Sequence, residues 1–79
     1  MVQVRIPELG ESIDKALVAG WHHGLGDAVR QDEDLLEVVT DKAVFNVPSP
    51  VSGRLKAIQA PKGQEVLIGE VVALMEEDG

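Results

Sequence analysis

An all-β sandwich or barrel of short strands is the fold class this sequence predicts, on three observations. Valine recurs in clusters, at Val2 and Val4, Val18, Val38 and Val39, Val44 and Val47, Val66, and Val71 and Val72. Such β-branched side chains suit a pleated, half-buried surface. Turn formers separate the clusters, namely Pro7 with Gly10, Gly24 with Gly26, Pro48 with Pro50, Gly53, Pro61 with Gly63, and Gly69. Short strands punctuated this often make sandwiches and barrels. Finally, a shift of 37 residues lays Val18 on Leu55, Gly20 on Ala57, Trp21 on Ile58, Gly26 on Gly63, Val29 on Val66, Glu33 on Glu70 and Leu35 on Val72. Neither half could bury its own apolar face, so two similar halves packed together would form one core.

Taken in order, the first strand lies around Val2 and Val4 and stops before Pro7. Each copy of the repeat then reads as strand, glycine turn, apolar residue three further on, acidic corner and strand. In the first copy these are Val18–Trp21, Gly26, Val29, Asp32-Glu33-Asp34 and Leu35–Val39. In the second they are Leu55–Ile58, Gly63, Val66, Glu70 and Val71-Val72. The stretch D-E-D-L-L-E-V-V-T could also mark one face of a helix capped at Asp32. Its Val-Val-Thr ending lowers helix propensity, and we read it as strand.

Composition narrows the function. A chain of 79 residues is one domain with a modest core. Hydrophobic content of 44% and a mean hydropathy of +0.03 describe a globular unit rather than a disordered one. No apolar run approaches the ~20 residues of a membrane span, and Met-Val-Gln-Val-Arg lacks the pattern of a signal peptide. A net charge of −7 argues against binding a phosphate backbone. Trp21 and Phe45 are the only aromatics, too few for a base-stacking platform. With no cysteine there is no disulfide, thiolate cage or protein thiol chemistry. Proteins or small molecules remain as partners, with neither nucleic acid nor membrane among them.

The stretch V-V-T-D-K-A-V-F carries the most information. A hairpin centred on Asp41-Lys42 sets Val39 opposite Val44, Val38 opposite Phe45, Glu37 opposite Asn46 and Leu36 opposite Val47. Alternation then gathers Leu36, Val38, Phe45 and Val47 on one face and leaves Glu37 and Asn46 on the other. A slip of one residue would drive Glu37 into the core, so the pattern fixes its own register. Lys42 falls at the outermost point of a tight bend of type I-like geometry, since neither central residue demands positive φ. On spacing alone, a lysine there is a solvated charge that aids solubility.

The residues V-V-T-D-K-A-V-F-N-V-P-S-P-V-S-G closely resemble the lipoyl-lysine hairpin of the lipoyl domains in acyltransferase subunits of 2-oxo acid dehydrogenase complexes. The resemblance continues through P-E-L-G-E-S-I at Pro7 to Ile13, Trp21, Gly26-Asp27, Leu35, Pro48, Pro50, Gly53 and Gly63, covers essentially the whole chain, and implies one domain over residues 1–79. It implies a flattened barrel of two four-stranded antiparallel sheets related by quasi-twofold symmetry, in agreement with the repeat. It implies covalent lipoate on Lys42, with Asp41 and Ala43 flanking it for recognition by a lipoate ligase or lipoyl transferase. The lipoylated side chain would be an arm of roughly 14 Å, summed from extended bond lengths. The resemblance implies a swinging-arm carrier with no catalytic residues of its own. A thiamine-dependent 2-oxo acid decarboxylase would acylate the lipoyl group reductively. The acyltransferase domain would pass the acyl group to coenzyme A, and dihydrolipoamide dehydrogenase would reoxidise the arm. The loop Leu9, Gly10, Glu11, Ser12 and Ile13, with Val39 and Val44 below the lysine, would help the decarboxylase recognise its domain. The same loop also reads as an ordinary acidic turn.

Pro-Glu-Leu-Gly-Glu-Ser-Ile, Trp21-His22 and Thr-Asp-Lys look most like the 2-oxoglutarate (succinyl) type, while Val-Pro-Ser-Pro also suits pyruvate and branched-chain complexes. Biotinyl domains share the fold and the lysine but usually flank it with methionines, unlike Asp41 and Ala43. Unmodified lipoyl-like interaction modules lack the lysine motif. The resemblance further implies a monomeric N-terminal fragment of a larger acyltransferase, in a bacterial cytoplasm or the mitochondrial matrix. Other groupings are weaker. Gly24-Leu25-Gly26 lacks the third glycine of a dinucleotide loop, and adjacent His22 and His23 would point to opposite faces of a strand. Asp32-Glu33-Asp34 lacks the spacing of a calcium loop, and nothing assembles Ser12 into a triad.

Overall fold

In the computed structural model, which describes residues 1–78, the chain forms eight strands. Residue 79, the last of the expected domain, lies outside them. The strands are β1 (Val2–Arg5), β2 (Lys15–Trp21), β3 (Ala28–Val29), β4 (Asp34–Val39), β5 (Val44–Pro48), β6 (Gly53–Ile58), β7 (Glu65–Leu67) and β8 (Val71–Glu77). They make two four-stranded sheets, ordered β1-β8-β6-β3 and β5-β4-β2-β7, with every pairing antiparallel. No described helix is long and apolar enough to cross a membrane. Within the Asp32–Thr40 stretch, Asp34–Val39 is strand rather than helix, as its Val-Val-Thr ending argued.

The core lies between the sheets, where Val4, Ile6, Val18, Leu36, Leu55 and Met75 are among the buried side chains. Ser49 is the buried polar residue, and its hydroxyl donates to the Val51 carbonyl at 2.7 Å while touching Met75 Sδ at 3.0 Å. Burying a hydroxyl is tolerable here because it is satisfied. One residue departs from simple alternation. Leu35 should face away from the core if Leu36 faces it, yet both are fully buried. The register shift between Asp34 and Leu36 against β5 turns both side chains inward.

The repeat is visible hydrogen bond by hydrogen bond. Gly26 N donates to Leu55 O at 2.7 Å and Gly63 N donates to Val18 O at 2.8 Å, a reciprocal pair under the 37-residue shift. The acidic corners match as well, with Arg30 N bound to Glu33 Oε1 at 3.1 Å and Leu67 N to Glu70 Oε1 at 3.0 Å. Gly26 and Gly63 have φ of 86° and 92°, and Asp32 and Gly69 have 70° and 86°. Even the bulges correspond, at Val18/Gly20 in β2 and Leu55/Ala57 in β6. A glutamate at each corner thus caps a turn that a left-handed residue closes.

Trp21 crosses between the halves. It is half-buried against the core, and its indole N–H donates to the carbonyl of buried Ala60 at 2.9 Å. A Trp21→Phe variant keeps much of the packing and orphans that carbonyl. It is expected to lose about 1 kcal/mol, read from the urea midpoint by circular dichroism; an unchanged midpoint would contradict the role of the bond.

Candidate functional site

The β4–β5 hairpin has the register that the residue pattern dictates. Val39 pairs with Val44, Val38 with Phe45, Glu37 with Asn46 and Leu36 with Val47. Leu36, Val38 and Val47 are buried and Phe45 is packed against the core at its edge. On the other face the Asn46 side chain meets His22 Nε2 at 3.0 Å. At the tip Asp41, Lys42 and Ala43 are exposed. No residue there has positive φ, since Ser12 and Asp32 are the non-glycine residues that do.

The tip is closed by a side chain. Thr40 N donates to Ala43 O at 2.9 Å. Lys42 N and Ala43 N both donate to Thr40 Oγ1, each at 3.1 Å, and that hydroxyl sits 3.2 Å from Ala43 O, to which it donates. The threonine hydroxyl therefore takes the amides that a backbone carbonyl would take in an ordinary hydrogen-bonded turn. Thr40 entered the sequence reading only within the Thr-Asp-Lys motif, with no role of its own. A hydroxyl immediately before the bend was the available signal, because serine and threonine close turns this way.

Among the described residues the Lys42 ammonium makes no ion pair. Lys15 and Lys56 lie on strands and approach Glu65 and Glu76, each at 3.8 Å. A flexible stem with a free amine, on a bend whose two flanking amides are tied, is suited to accept a covalent group and hold it clear of the body.

The twofold pattern fails at one connection, beside this tip. Val4 and Arg5 pair with Ala73 and Val71, as Val47 and Pro48 pair with Leu36 and Asp34. The first strand of each half is therefore related by 43 residues, whereas the rest is related by 37. The six-residue difference is the connection Pro7–Asp14, whose counterpart is only Pro50-Val51. Within it Gly10 and Ser12 have φ of 149° and 66°, and Ile13 N donates to Gly10 O at 3.3 Å. A surface groove of about 500 Å³ brings Ser12, Ile13 and Asp14 together with Val39, Thr40 and Asp41. Gly10 and Glu11 line a second depression with Ile68 on the other flank of the loop. Leu9 is half-buried against the core, and Val44 is 58% exposed outside the groove.

Both ends of the described chain, residues 1–78, sit at the other end of the hairpin. Asp78 N bonds to Ser52 O at 2.9 Å, and Ser52 Oγ accepts from Gln31 N at 2.8 Å, near the base pair Asp34–Pro48. Val2 pairs with Met75, which puts the first residues beside the end of β8. About 17 Å of strand separates that base from the tip. His22 and His23 reach different partners, Asn46 and Glu33. No metal-ligating cluster occurs among the described residues.

Residues 2–75 match the family model described as "Biotin-requiring enzyme", the biotin/lipoyl domain. The chain is 38% identical over 76 residues to the lipoamide acyltransferase component of a branched-chain alpha-keto acid dehydrogenase complex from Pseudomonas aeruginosa. It is 42% identical over 76 residues to the succinyltransferase component of a 2-oxoglutarate dehydrogenase complex from Rickettsia typhi. These matches take in 96% of this chain but 18% and 19% of those proteins. The solution structure of the lipoyl domain of the Azotobacter vinelandii 2-oxoglutarate dehydrogenase complex superposes with a TM-score of 0.78 at 34% identity, covering 100% of both chains.

Proposed function

The chain belongs to the biotin/lipoyl attachment family, as a lipoyl domain of the kind found in acyltransferase components of 2-oxo acid dehydrogenase complexes, and we propose that Lys42 carries its lipoate. The observation that carries this reading is the Lys42 amine, without an ion pair among the described residues, at a bend held by the Thr40 hydroxyl. Attachment joins the lipoate carboxyl carbon to Nζ as an amide and removes the lysine charge. Bound there, lipoate supplies a dithiolane that accepts electrons and an acyl group together. The domain itself is a carrier, and its residues present the arm. Asp41 and Ala43, exposed on either side, are what a lipoate ligase or lipoyl transferase meets first; neither is the methionine usual beside a biotinyl lysine.

The partners that follow are a thiamine-dependent decarboxylase, the acyltransferase domain and dihydrolipoamide dehydrogenase. Leu9 to Ile13, Val39 and Val44 are the residues the decarboxylase would recognise, and of these Ser12, Ile13 and Val39 share one groove beside the tip. The support is geometric, since the one connection that breaks the twofold symmetry shares a groove with the hairpin tip. A loop required only for folding would resemble its two-residue counterpart. Tethering from the base end, remote from Lys42, leaves the arm unobstructed and raises its effective concentration at each partner.

We assign the 2-oxoglutarate type, in a bacterial cytoplasm and as a monomeric unit. Succinyltransferase components from Rickettsia typhi and Bartonella vinsonii at 42% and 43% identity favour that type. A second reading stands beside it, because an acetyltransferase component of a pyruvate dehydrogenase complex from Corynebacterium glutamicum is also 43% identical. Incubation with lipoate, ATP and a lipoate ligase tests the attachment site by intact mass and peptide mapping. One lipoyl group on Lys42 is expected. No gain in mass, or a gain on Lys15, Lys56 or Lys62, would overturn the assignment.

A further inference from the structure

We infer that Thr40 is a positioning residue for modification of this domain, holding Lys42 in the orientation that the attaching enzyme reads. The inference rests on Lys42 being the attachment site. Its structural basis is the sharing of one hydroxyl between Lys42 N and Ala43 N, each at 3.1 Å from Thr40 Oγ1. Those two amides belong to the peptide planes on either side of the Lys42 Cα. Tying both planes to one atom restrains φ and ψ of Lys42, and with them the direction in which its side chain leaves the bend. Thr40 Oγ1 also donates to Ala43 O at 3.2 Å, which fixes the hydroxyl itself.

One backbone bond also closes the tip, Thr40 N to Ala43 O at 2.9 Å, but it involves neither amide flanking the Lys42 Cα. The four residues Thr40–Ala43 contain no glycine or proline. The last paired residues of the ladder are Val39 and Val44. The Asp41 carboxylate makes no hydrogen bond among the described residues, whereas Thr40 is half-buried and lines the groove between hairpin and loop. Removing the hydroxyl leaves the ladder and the core in place and releases only the bend. Hydrogen bonds of partly exposed groups contribute modestly to global stability, while opening of a short surface segment is local. The expected defect is in presentation of the lysine rather than in folding.

Thr40→Val keeps the shape and deletes the hydroxyl; Thr40→Ser keeps the hydroxyl and deletes the methyl. Lipoylation by lipoate ligase is followed by intact mass, and backbone order by amide hydrogen exchange at Lys42 and Ala43. Thr40→Val is expected to lower kcat/KM for attachment about tenfold, short of the roughly hundredfold that a 1 Å misplacement can cost. It should also speed exchange at those two amides while the thermal midpoint stays near wild type. Thr40→Ser should restore both within about twofold, because it retains the acceptor. Equal rates for wild type and Thr40→Val would overturn the inference, as would Thr40→Ser behaving like Thr40→Val. A wild-type domain that takes up no lipoate at Lys42 would instead overturn the attachment-site reading, and this inference with it.

Discussion

Gly53→Ala is expected to destabilise the domain by about 3 kcal/mol, at the upper end for overpacking of a fixed site. Gly53 opens β6, a central strand, and is paired on both sides, with Val29 and with Glu77. A Cβ there would land on the Glu76 carbonyl oxygen, 2.9 Å from its carbon and 3.0 Å from the Glu77 Cα. All three are backbone atoms of β8, so relief requires separating two strands rather than turning a side chain. The φ of Gly53 is not positive, and close approach alone demands glycine. Its twofold mate, Ala16, is buried and does carry a Cβ. Ala16 pairs with Val66, but β4 has no residue paired with it, because that ladder stops at Leu17–Val39. The control is Gly20→Ala, whose Cβ would meet nothing within 4 Å. Urea unfolding followed by Trp21 fluorescence measures both. A Gly53→Ala loss of under about 0.5 kcal/mol, the range of neutral surface changes, would refute the backbone-contact account.

Which features the sequence discloses follows from what alternation can encode. The Leu36–Val47 register was legible because shifting it would bury Glu37, so hydropathy alone selects one pairing. The duplication was legible wherever a side chain has a local job in both halves, as with Glu33 and Glu70 at their corners. Simple alternation would turn Leu35 outward, because a bulge changes the side-chain phase without a compositional mark. The change in offset before β2 was hidden for another reason. Val4 and Val47 are recognised as equivalent only through their partners Ala73 and Leu36. Without those pairings the connection Pro7–Asp14 reads as an ordinary acidic turn, and its status as the asymmetric element beside the tip is lost. Thr40 escaped because its contribution is a side-chain bond to neighbouring backbone, which leaves no trace in a pattern of apolar residues. Lys42 was placed by register and given its chemistry by resemblance. Exposure in a turn does not separate it from Lys62, which is equally exposed; the T-D-K-A motif that carries the resemblance does.

Lys42→Arg is expected to abolish lipoylation and all acyl carriage while leaving the fold intact. Arginine keeps the positive charge and the long stem at the tip, so any contribution of charge to solubility or partner approach is preserved. What it removes is an amine that can lose its proton and form an amide, since the guanidinium remains protonated under all working conditions. The thermal midpoint should not change, because the Lys42 ammonium makes no ion pair among the described residues and its neighbours' bonds run through Thr40 and the backbone. The remaining lysines cannot substitute. Lys15 and Lys56 project from strands and lie against Glu65 and Glu76, and Lys62 precedes Gly63 in a turn without the threonine clasp. The decisive measurement supplies the wild-type and Lys42→Arg domains, after treatment with lipoate ligase, to a 2-oxoglutarate decarboxylase and its labelled substrate. Wild type should take up one acyl group per domain and the variant none. Acyl uptake by the variant would mean that another residue carries the arm, and the geometric reading of the tip would be wrong. Uptake by neither, with lipoate demonstrably on wild-type Lys42, would leave the attachment site standing and exclude the 2-oxoglutarate type. The same assay with pyruvate and branched-chain decarboxylases would then identify the partner that fits the Pro7–Asp14 loop.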